Sequence, residues 1–212
     1  MTFVNVIRVS SVAVLACAAS LVMMLSACGA DKEAPSASTS SSSVTDVFTA
    51  PSFSETATGD NSCPSAAPAN AAPEWTLPGA TGSVAVAGPT DSTAPQIQVT
   101  APFSVTETQV HTLKPGDGPV VAKTAKVFVC YMGVNGRDGS VFDSTYERGA
   151  PIDFSLDGVV PGFQKAIAGQ KVGSTVAVAM TSADGYPEGQ PSAGIQPGDT
   201  LIFAIKILDA SH

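Results

Sequence analysis

In three segments in the second half of the chain, large apolar side chains recur at every second position, and this alternation limits what the chain can fold into. Residues 126–132, 172–180 and 200–208 show the pattern, and a further short strand is expected to end at the turn of residues 115–118. A period of two residues is typical of a half-buried strand. The alternation therefore predicts antiparallel strands with one face packed and the other face in water.

One short helix is predicted between these strands. Residues 160–167 carry Pro161 near a helix start, where its missing N–H costs least, and they place Phe163, Ala166 and Ile167 at helical spacing. A set of strands with a single short helix predicts an α+β domain in which an antiparallel sheet wraps around that helix.

The first half of the chain differs in composition. Residues 29–94 hold seven acidic residues and one basic residue, and residues 29–74 are mostly Ser, Thr, Ala and Pro. Such a segment cannot bury enough apolar surface to offset its ordering entropy. We therefore expect residues 28–94 to form a disordered, flexible tether and residues 95–212 to form the folded domain. The alternative for residues 75–100 is a set of short extended pieces along the domain surface, which Pro and Gly would interrupt. The net charge of −8 gives no support to nucleic-acid binding.

The N-terminus has the layout of a secretory signal. Arg8 is the only charged residue among the first 30, and an apolar run over residues 12–25 leads to Leu-Ser-Ala-Cys at residues 25–28. These four residues resemble a bacterial lipobox, which implies removal of residues 1–27 as a signal peptide and lipidation of Cys28, for example with palmitate. The protein would then be exported and anchored to the outer face of the bacterial cytoplasmic membrane or cell envelope. The alternative is an uncleaved signal anchor, since the run is nearly long enough to span a membrane.

The chain has four cysteines. Cys17 would leave with the signal and Cys28 would carry lipid, so Cys63 and Cys130 remain for oxidation. An exported compartment permits a disulfide. Because Cys63 falls in the predicted tether and Cys130 in a predicted strand, we expect two unpaired thiols. The cysteines and the two histidines lack metal-ligand spacing, so the sequence gives no reason to expect a metal or an organic cofactor.

Residues 131–163 are rich in aromatic and aliphatic side chains set between glycines and turns, without His, Cys or Lys. A pocket lined in this way can do chemistry that needs neither proton transfer nor a nucleophile. The run therefore favours a conformational reaction or ligand binding. The simpler interpretation is that Phe142, Phe154 and Phe203 are core residues, and that Asp143 and Arg148 form an ordinary ion pair at a strand end.

A set of short motifs recurs in a fixed order over residues 126–209: Tyr131 with Gly133, Asp138-Gly139, Phe142-Asp143-Ser144, Arg148, Pro151, Val159-Val160-Pro161-Gly162-Phe163, Val172-Gly173, Gly185-Tyr186, Ser192-Ala193-Gly194-Ile195 and Thr200-Leu201-Ile202-Phe203. In this order and spacing the set resembles the FKBP-type peptidyl-prolyl cis-trans isomerases. The resemblance implies an FKBP-like α+β fold, in which an antiparallel half-barrel sheet wraps around one short helix with a pocket between them.

The resemblance also implies isomerase (rotamase) activity and assigns roles to individual positions. It implies catalytic positions at Tyr131, Phe142, Asp143, Phe163, Tyr186 and Phe203. It implies substrate contacts at Arg148, Ile152, Val159, Val160 and Ile195. Phe163 stands where many members have Trp, and Ile152 stands where a second aromatic residue is common. We assign Tyr146, Glu147 and Asp153 to solvent and Met180 to the core.

Proline-containing polypeptides are the implied substrates, and macrolides of the tacrolimus and rapamycin type are implied ligands. The first hypothesis is an exported, lipid-anchored isomerase that assists the folding of exported proteins. The second is a non-catalytic module that binds Pro-containing peptides or a partner at the cell surface, for which Phe163 is the motivating feature. A third is adhesion or surface display, with the tether as the working part. The sequence shows no long exposed apolar patch, so we expect a monomer.

Overall fold

The computed structural model describes residues 62–68 and 70–211. The predicted signal peptide, Cys28 and most of the predicted tether lie outside these residues. None of the helices in the described part of the chain is long and apolar enough to cross a membrane.

The larger of two sheets contains six antiparallel strands in the order β4-β8-β9-β5-β6, with β7 also paired to β5. Its strands are β4 (Gln109–Lys114), β5 (Lys126–Asn135), β6 (Val141–Ser144), β7 (Ile152–Ser155), β8 (Thr175–Met180) and β9 (Leu201–Ser211). Two helices accompany it: α1 (Thr145–Arg148) and α2 (Pro161–Ile167).

The main core lies between α2 and one face of this sheet. Phe163, Ala166 and Ile167 of α2 are buried against apolar side chains of β5, β8 and β9. Gly162 allows this close approach, because a Cβ at that position would lie 2.6 Å from the sulfur of Met180. The predicted α+β architecture, an antiparallel sheet around a short helix, is confirmed, and Met180 is fully buried as expected. The four-residue helix α1 was not predicted.

A second, three-stranded sheet corrects two predictions: that residues up to 94 form a flexible tether, and that one face of each strand in the larger sheet is in water. Its strands are β1 (Trp75–Pro78), β2 (Thr81–Ala87) and β3 (Gln96–Ser104), in the order β1-β2-β3. Val84, Val86 and Phe103 of this sheet pack on the outer face of β8 and β9, against Ala177, Ala179, Ile202 and Ala204. Residues 75–87 are therefore ordered strands, and β8 is buried on both faces. The small side chains of that outer face leave room for a second layer.

A disulfide between Cys63 and Cys130 corrects the expectation of two unpaired thiols, with the two Cα atoms 5.7 Å apart. Residues 62–68 lie over β5, where the Cys63 N–H donates to the carbonyl of Gly149 at 3.4 Å. Cys63, Ala94, Cys130 and Tyr146 form a small buried cluster there. Tyr146 is only 1% exposed, so its assignment to solvent was wrong. The segment that covers it comes from the region predicted to be tether.

Candidate active site

A cavity of about 370 Å³ opens between α2 and the larger sheet. Nine of the eleven residues predicted to form the site line it, so the structure brings together side chains from widely separated parts of the chain. The lining consists of Tyr131, Phe142, Asp143, Ile152, Phe154, Gly158, Val159, Val160, Phe163, Tyr186 and Phe203.

Aromatic rings form a continuous wall and floor in this cavity. The ring of Phe163 lies 4.6 Å from that of Phe203 and 5.6 Å from that of Tyr131, in edge-to-face arrangements. Phe142 extends the wall, with its ring 5.4 Å from that of Phe203. Edge-to-face contacts place the positive edge of one ring on the negative face of the next, so the rings hold one another in fixed orientations.

Gly133 on β5 permits this packing. A Cβ at residue 133 would lie 2.7 Å from the Cζ of Phe142 and 2.7 Å from the Cε1 of Phe203. Both distances are well below van der Waals contact, so any other residue would displace the two rings. The glycine therefore has a direct geometric role in shaping the cavity wall.

Asp143, at the rim, is held from two sides. Its carboxylate accepts a hydrogen bond from the hydroxyl of Tyr131 and pairs with Arg148, whose Nη1 lies 2.5 Å from Oδ1. Burial alone would raise the pKa of the Asp143 carboxyl, but the hydrogen bonds from Arg148 and Tyr131 outweigh it and hold that pKa below its usual value. The carboxylate therefore stays ionised over the whole neutral range.

The same contact acts on Tyr131. Burial, the hydrogen bond to Asp143 and the charge of that carboxylate raise the pKa of Tyr131 to about 12. Its hydroxyl remains protonated at neutral pH and serves as a donor to Asp143. It cannot act as a general base under these conditions, because that would require the phenolate.

Helix α1 positions Arg148 for this arrangement. The hydroxyl of Ser144 accepts a hydrogen bond from the Glu147 N–H at 3.3 Å, which caps the helix start. Gly149 ends the helix in the left-handed conformation, with φ at 68°. The hydroxyl of Thr145 ties the helix to β5, accepting from the Tyr131 N–H at 2.8 Å and donating to the Tyr131 carbonyl at 3.1 Å.

Two predicted site residues do not line the cavity. Arg148 contacts Asp143 from outside the lining, and Ile195 is buried in the main core with 3% of its surface exposed. Cys28 lies outside the described residues. Phe154 and Gly158 line the cavity but were not predicted to do so. The position of Phe154 two residues after Ile152 on the same strand was the available signal, since side chains two apart share a face.

The lining limits what the cavity can do chemically. Asp143 is the only lining residue that is ionised at neutral pH, and it is already paired with Arg148. Within the described part of the chain, no three His, Cys, Asp or Glu residues lie close enough together to hold a metal ion. The lining suits an apolar ring flanked by peptide groups, and it contains no Ser, Cys, Lys or His side chain that could act as a nucleophile or base.

Comparisons with known proteins agree with this geometry. Residues 118–208 match the family model for FKBP-type peptidyl-prolyl cis-trans isomerases. A protein of Corynebacterium glutamicum named Probable FK506-binding protein is 32% identical over 117 residues, which cover 55% of this chain and 98% of that protein. The chain belongs to the family of FKBP-type peptidyl-prolyl cis-trans isomerases.

Other relatives are longer than the shared region. The FKBP-type 22 kDa peptidyl-prolyl cis-trans isomerase of Escherichia coli is 36% identical over 101 residues, so the match covers 48% of this chain and 48% of that protein. The crystal structure of FkpA from Escherichia coli superposes with a TM-score of 0.46 at 32% identity, covering 49% of this chain and 48% of that one. The chain thus spans about half the length of these relatives.

Proposed function

We propose that this protein is a peptidyl-prolyl cis-trans isomerase that twists X–Pro peptide bonds inside the aromatic cavity. One observation carries the proposal: six aromatic side chains surround a cavity of about 370 Å³ whose single ionised lining group is already paired. Cavities of this size, lined mainly by apolar side chains, commonly bind small ligands. A prolyl ring with its two flanking peptide groups is a chemically matched occupant.

The reaction needs only a conformational change. The barrier to amide rotation is about 18–20 kcal/mol, because resonance gives the C–N bond partial double-bond character. X–Pro bonds populate both isomers and exchange over roughly tens to hundreds of seconds. At the top of the barrier the amide is twisted, its conjugation is lost, and its carbonyl oxygen carries less negative charge than in the planar form.

Water favours the planar amide because that form is more polar. A cavity that excludes water withdraws this solvation and therefore stabilises the twisted form relative to the planar one. An acceleration of about 10⁴ requires about 5.5 kcal/mol of such differential stabilisation, since each factor of ten corresponds to ~1.36 kcal/mol. In this proposal, removal of solvent from one amide and fixed orientation of the substrate together supply that stabilisation.

Each lining residue would contact a different part of the substrate. Phe163, a residue that is 6% exposed, lies at the floor, where its ring would support the proline ring, and Tyr131, Phe142 and Phe203 would enclose that ring. The backbone N–H of Val160 and the hydroxyl of Tyr186 would hold the carbonyls on either side of the proline. Asp143, kept in place by Tyr131 and Arg148, would face the twisted amide from the rim.

The cellular setting is part of the same proposal. The lipobox-like residues 25–28 support export and lipidation at Cys28, which would place the isomerase outside the cytoplasmic membrane, where it would assist the folding of exported proteins. Palmitate labelling tests this directly. Cys28→Ala should abolish the label and release the protein from the membrane fraction, whereas persistence of the label would refute lipidation at this residue.

A protease-coupled assay on a peptide such as Ala-Leu-Pro-Phe tests catalysis. Phe142→Ala should lower kcat/KM by about 10- to 100-fold, since burial of a Phe side chain contributes about 1.5–3 kcal/mol. Phe128→Ala is the matched control, because Phe128 lies on β5 but outside the cavity lining. No acceleration by the wild-type protein at micromolar concentration would refute the proposal.

The same preparation separates catalysis from simple binding. Titration of a proline peptide or a macrolide, followed by NMR, measures occupancy of the cavity independently of turnover. Binding without acceleration would establish the non-catalytic module instead. We expect both binding and acceleration, with Phe142→Ala weakening each.

A further inference from the structure

Tyr186 lies on the connection between β8 and β9, directly after a single helical turn formed by Ser182–Asp184. The carboxylate of Asp184 accepts a hydrogen bond from the Thr108 hydroxyl at 2.5 Å and pairs with the Lys165 ammonium at 2.6 Å. Lys165 belongs to α2, two residues after Phe163. The ion pair therefore links the helix that carries the cavity floor to the turn that carries Tyr186.

The remaining bonds of this turn hold its backbone together. The hydroxyl of Ser182 donates to the carbonyl of Tyr186 at 3.2 Å and accepts from the Gly198 N–H at 3.1 Å. The hydroxyl of Thr108 accepts from the Thr181 N–H at 3.2 Å while it donates to Asp184. These bonds fix the turn within the β8–β9 connection and against the segment between β3 and β4 that carries Thr108, and the ion pair fixes it against α2.

Stability alone does not account for the pair. The side chain of Lys165 is 56% exposed and that of Asp184 is 18% exposed, and an ion pair with one partner largely in solvent contributes little to folding. The hydrogen bonds from Lys165 and Thr108 lower the pKa of the Asp184 carboxyl, so the pair stays charged at neutral pH. The pair joins the helix that carries Phe163 to the turn that precedes Tyr186, so it can fix the distance between these two cavity-lining residues.

We propose that Asp184 and Lys165 are positioning residues that set the hydroxyl of Tyr186 relative to the cavity floor at Phe163. This inference rests on the proposed isomerase function. Displacement of a substrate-holding group by about 1 Å can cost as much as ~10²-fold in rate, because catalysis depends on near-ideal orientation. Loss of the pair would free the turn to move by a fraction of this distance.

A double-mutant cycle on the full-length protein tests the proposal. Asp184→Asn and Lys165→Gln should each lower kcat/KM by about three- to tenfold. Because both remove the same ion pair, the kcat/KM of the double variant should be no lower than that of the less active single variant. Asp184→Glu keeps the charge and should recover activity to within about twofold of wild type. Lys171→Gln is the matched control, since it removes an exposed lysine from the loop between α2 and β8 and should leave kcat/KM unchanged.

Fluorine NMR provides a readout that does not depend on turnover. The chain has three tyrosines, so fluorotyrosine labelling gives three resonances, and Tyr186→Phe identifies the relevant one. Asp184→Asn should shift or broaden the Tyr186 resonance while leaving that of Tyr146 in place. Lys171→Gln should move none of them, and the melting temperature of each variant should stay within about 2 °C of wild type.

The outcomes distinguish the two proposals. An inactive wild-type protein in which Asp184→Asn still moves the Tyr186 resonance would refute the isomerase function but retain the positioning role. An active protein in which Asp184→Asn changes neither kcat/KM nor the Tyr186 resonance would overturn the positioning role alone. Additive effects of the two single variants, or a loss of activity that parallels a large fall in melting temperature, would overturn it as well.

Discussion

Loss of the Cys63–Cys130 disulfide should destabilise the protein by about 4 kcal/mol. The bond joins residues 67 positions apart, and closing a loop of that length removes chain entropy worth about this amount from the unfolded state. Few other contacts hold the covering segment. Its backbone donates from Cys63 to Gly149 at 3.4 Å, and the Ala66 carbonyl accepts from Ala94 at 2.8 Å. Reduction would therefore release residues 62–68 from β5 and uncover Tyr146.

Urea unfolding measures this loss. With an m-value of about 2 kcal/mol/M, which is ordinary for a domain of this size, the midpoint should fall by about 2 M when the disulfide is reduced. Cys63→Ala should show the same fall without reductant. Addition of reductant to Cys63→Ala should then change nothing, which controls for effects on the other cysteines.

A midpoint change below about 0.5 M would refute the reasoning. It would mean that the disulfide restricts the unfolded chain far less than loop closure predicts, or that residues 62–68 stay docked through their other contacts. Catalysis, measured well below the melting temperature, should change by less than about twofold on reduction. The cavity face of β5 is held by its ladders with β6 and β9; Cys130 pairs with Lys206 in the second ladder, but the backbone pairing does not depend on its sulfur.

Three further predictions concern the cavity and its surroundings. Gly133→Ala would put a Cβ 2.7 Å from the Phe142 ring, so kcat/KM in the protease-coupled assay should fall at least about tenfold while circular dichroism still reports a folded protein. The folded-state pKa of Asp143 is below its usual value of about 3.9, so the ionised carboxylate stabilises the fold above that value, and this stabilisation is lost as pH falls through the folded-state pKa. The pH–rate profile should therefore be flat from about pH 5 to 8. A step near neutrality would show that Asp143 does not stay ionised throughout this range. Asp199→Ala removes a buried acceptor 2.7 Å from the Asn135 amide nitrogen and should lower the free energy of unfolding by about 2–4 kcal/mol in urea, whereas a change below about 1 kcal/mol would show that water replaces the carboxylate.

Much of the fold follows from local pattern. The alternation over residues 126–132 predicted the first part of β5 (Lys126–Asn135), and the pattern over residues 200–208 predicted most of β9 (Leu201–Ser211). Pro161 and the spacing of the apolar residues after it predicted α2 within one residue at its start. These signals are local because a strand or helix must present its apolar side chains at its own period, wherever it packs.

The candidate site was predicted largely through motif order, and its two differences from the cavity lining have a common cause. Ile195, a predicted substrate contact, is absent from the lining, whereas Phe154, which was not predicted as a site residue, belongs to it. Both are apolar residues beside the pocket motifs. Periodicity identifies the face on which such a side chain lies, but the depth at which it meets the cavity depends on the opposing helix.

The sequence by itself determined the alternating strands, the short helix and five of the six aromatic residues that meet at the cavity. Only the tertiary structure decided that residues 75–87 form strands, that Cys63 joins Cys130 and that Tyr146 is buried. Each of these depends on a surface supplied by a distant part of the chain. A Ser-, Ala- and Pro-rich segment has too little apolar area to order itself, but its few large side chains become buried when β8, β9 and β5 offer a complementary face.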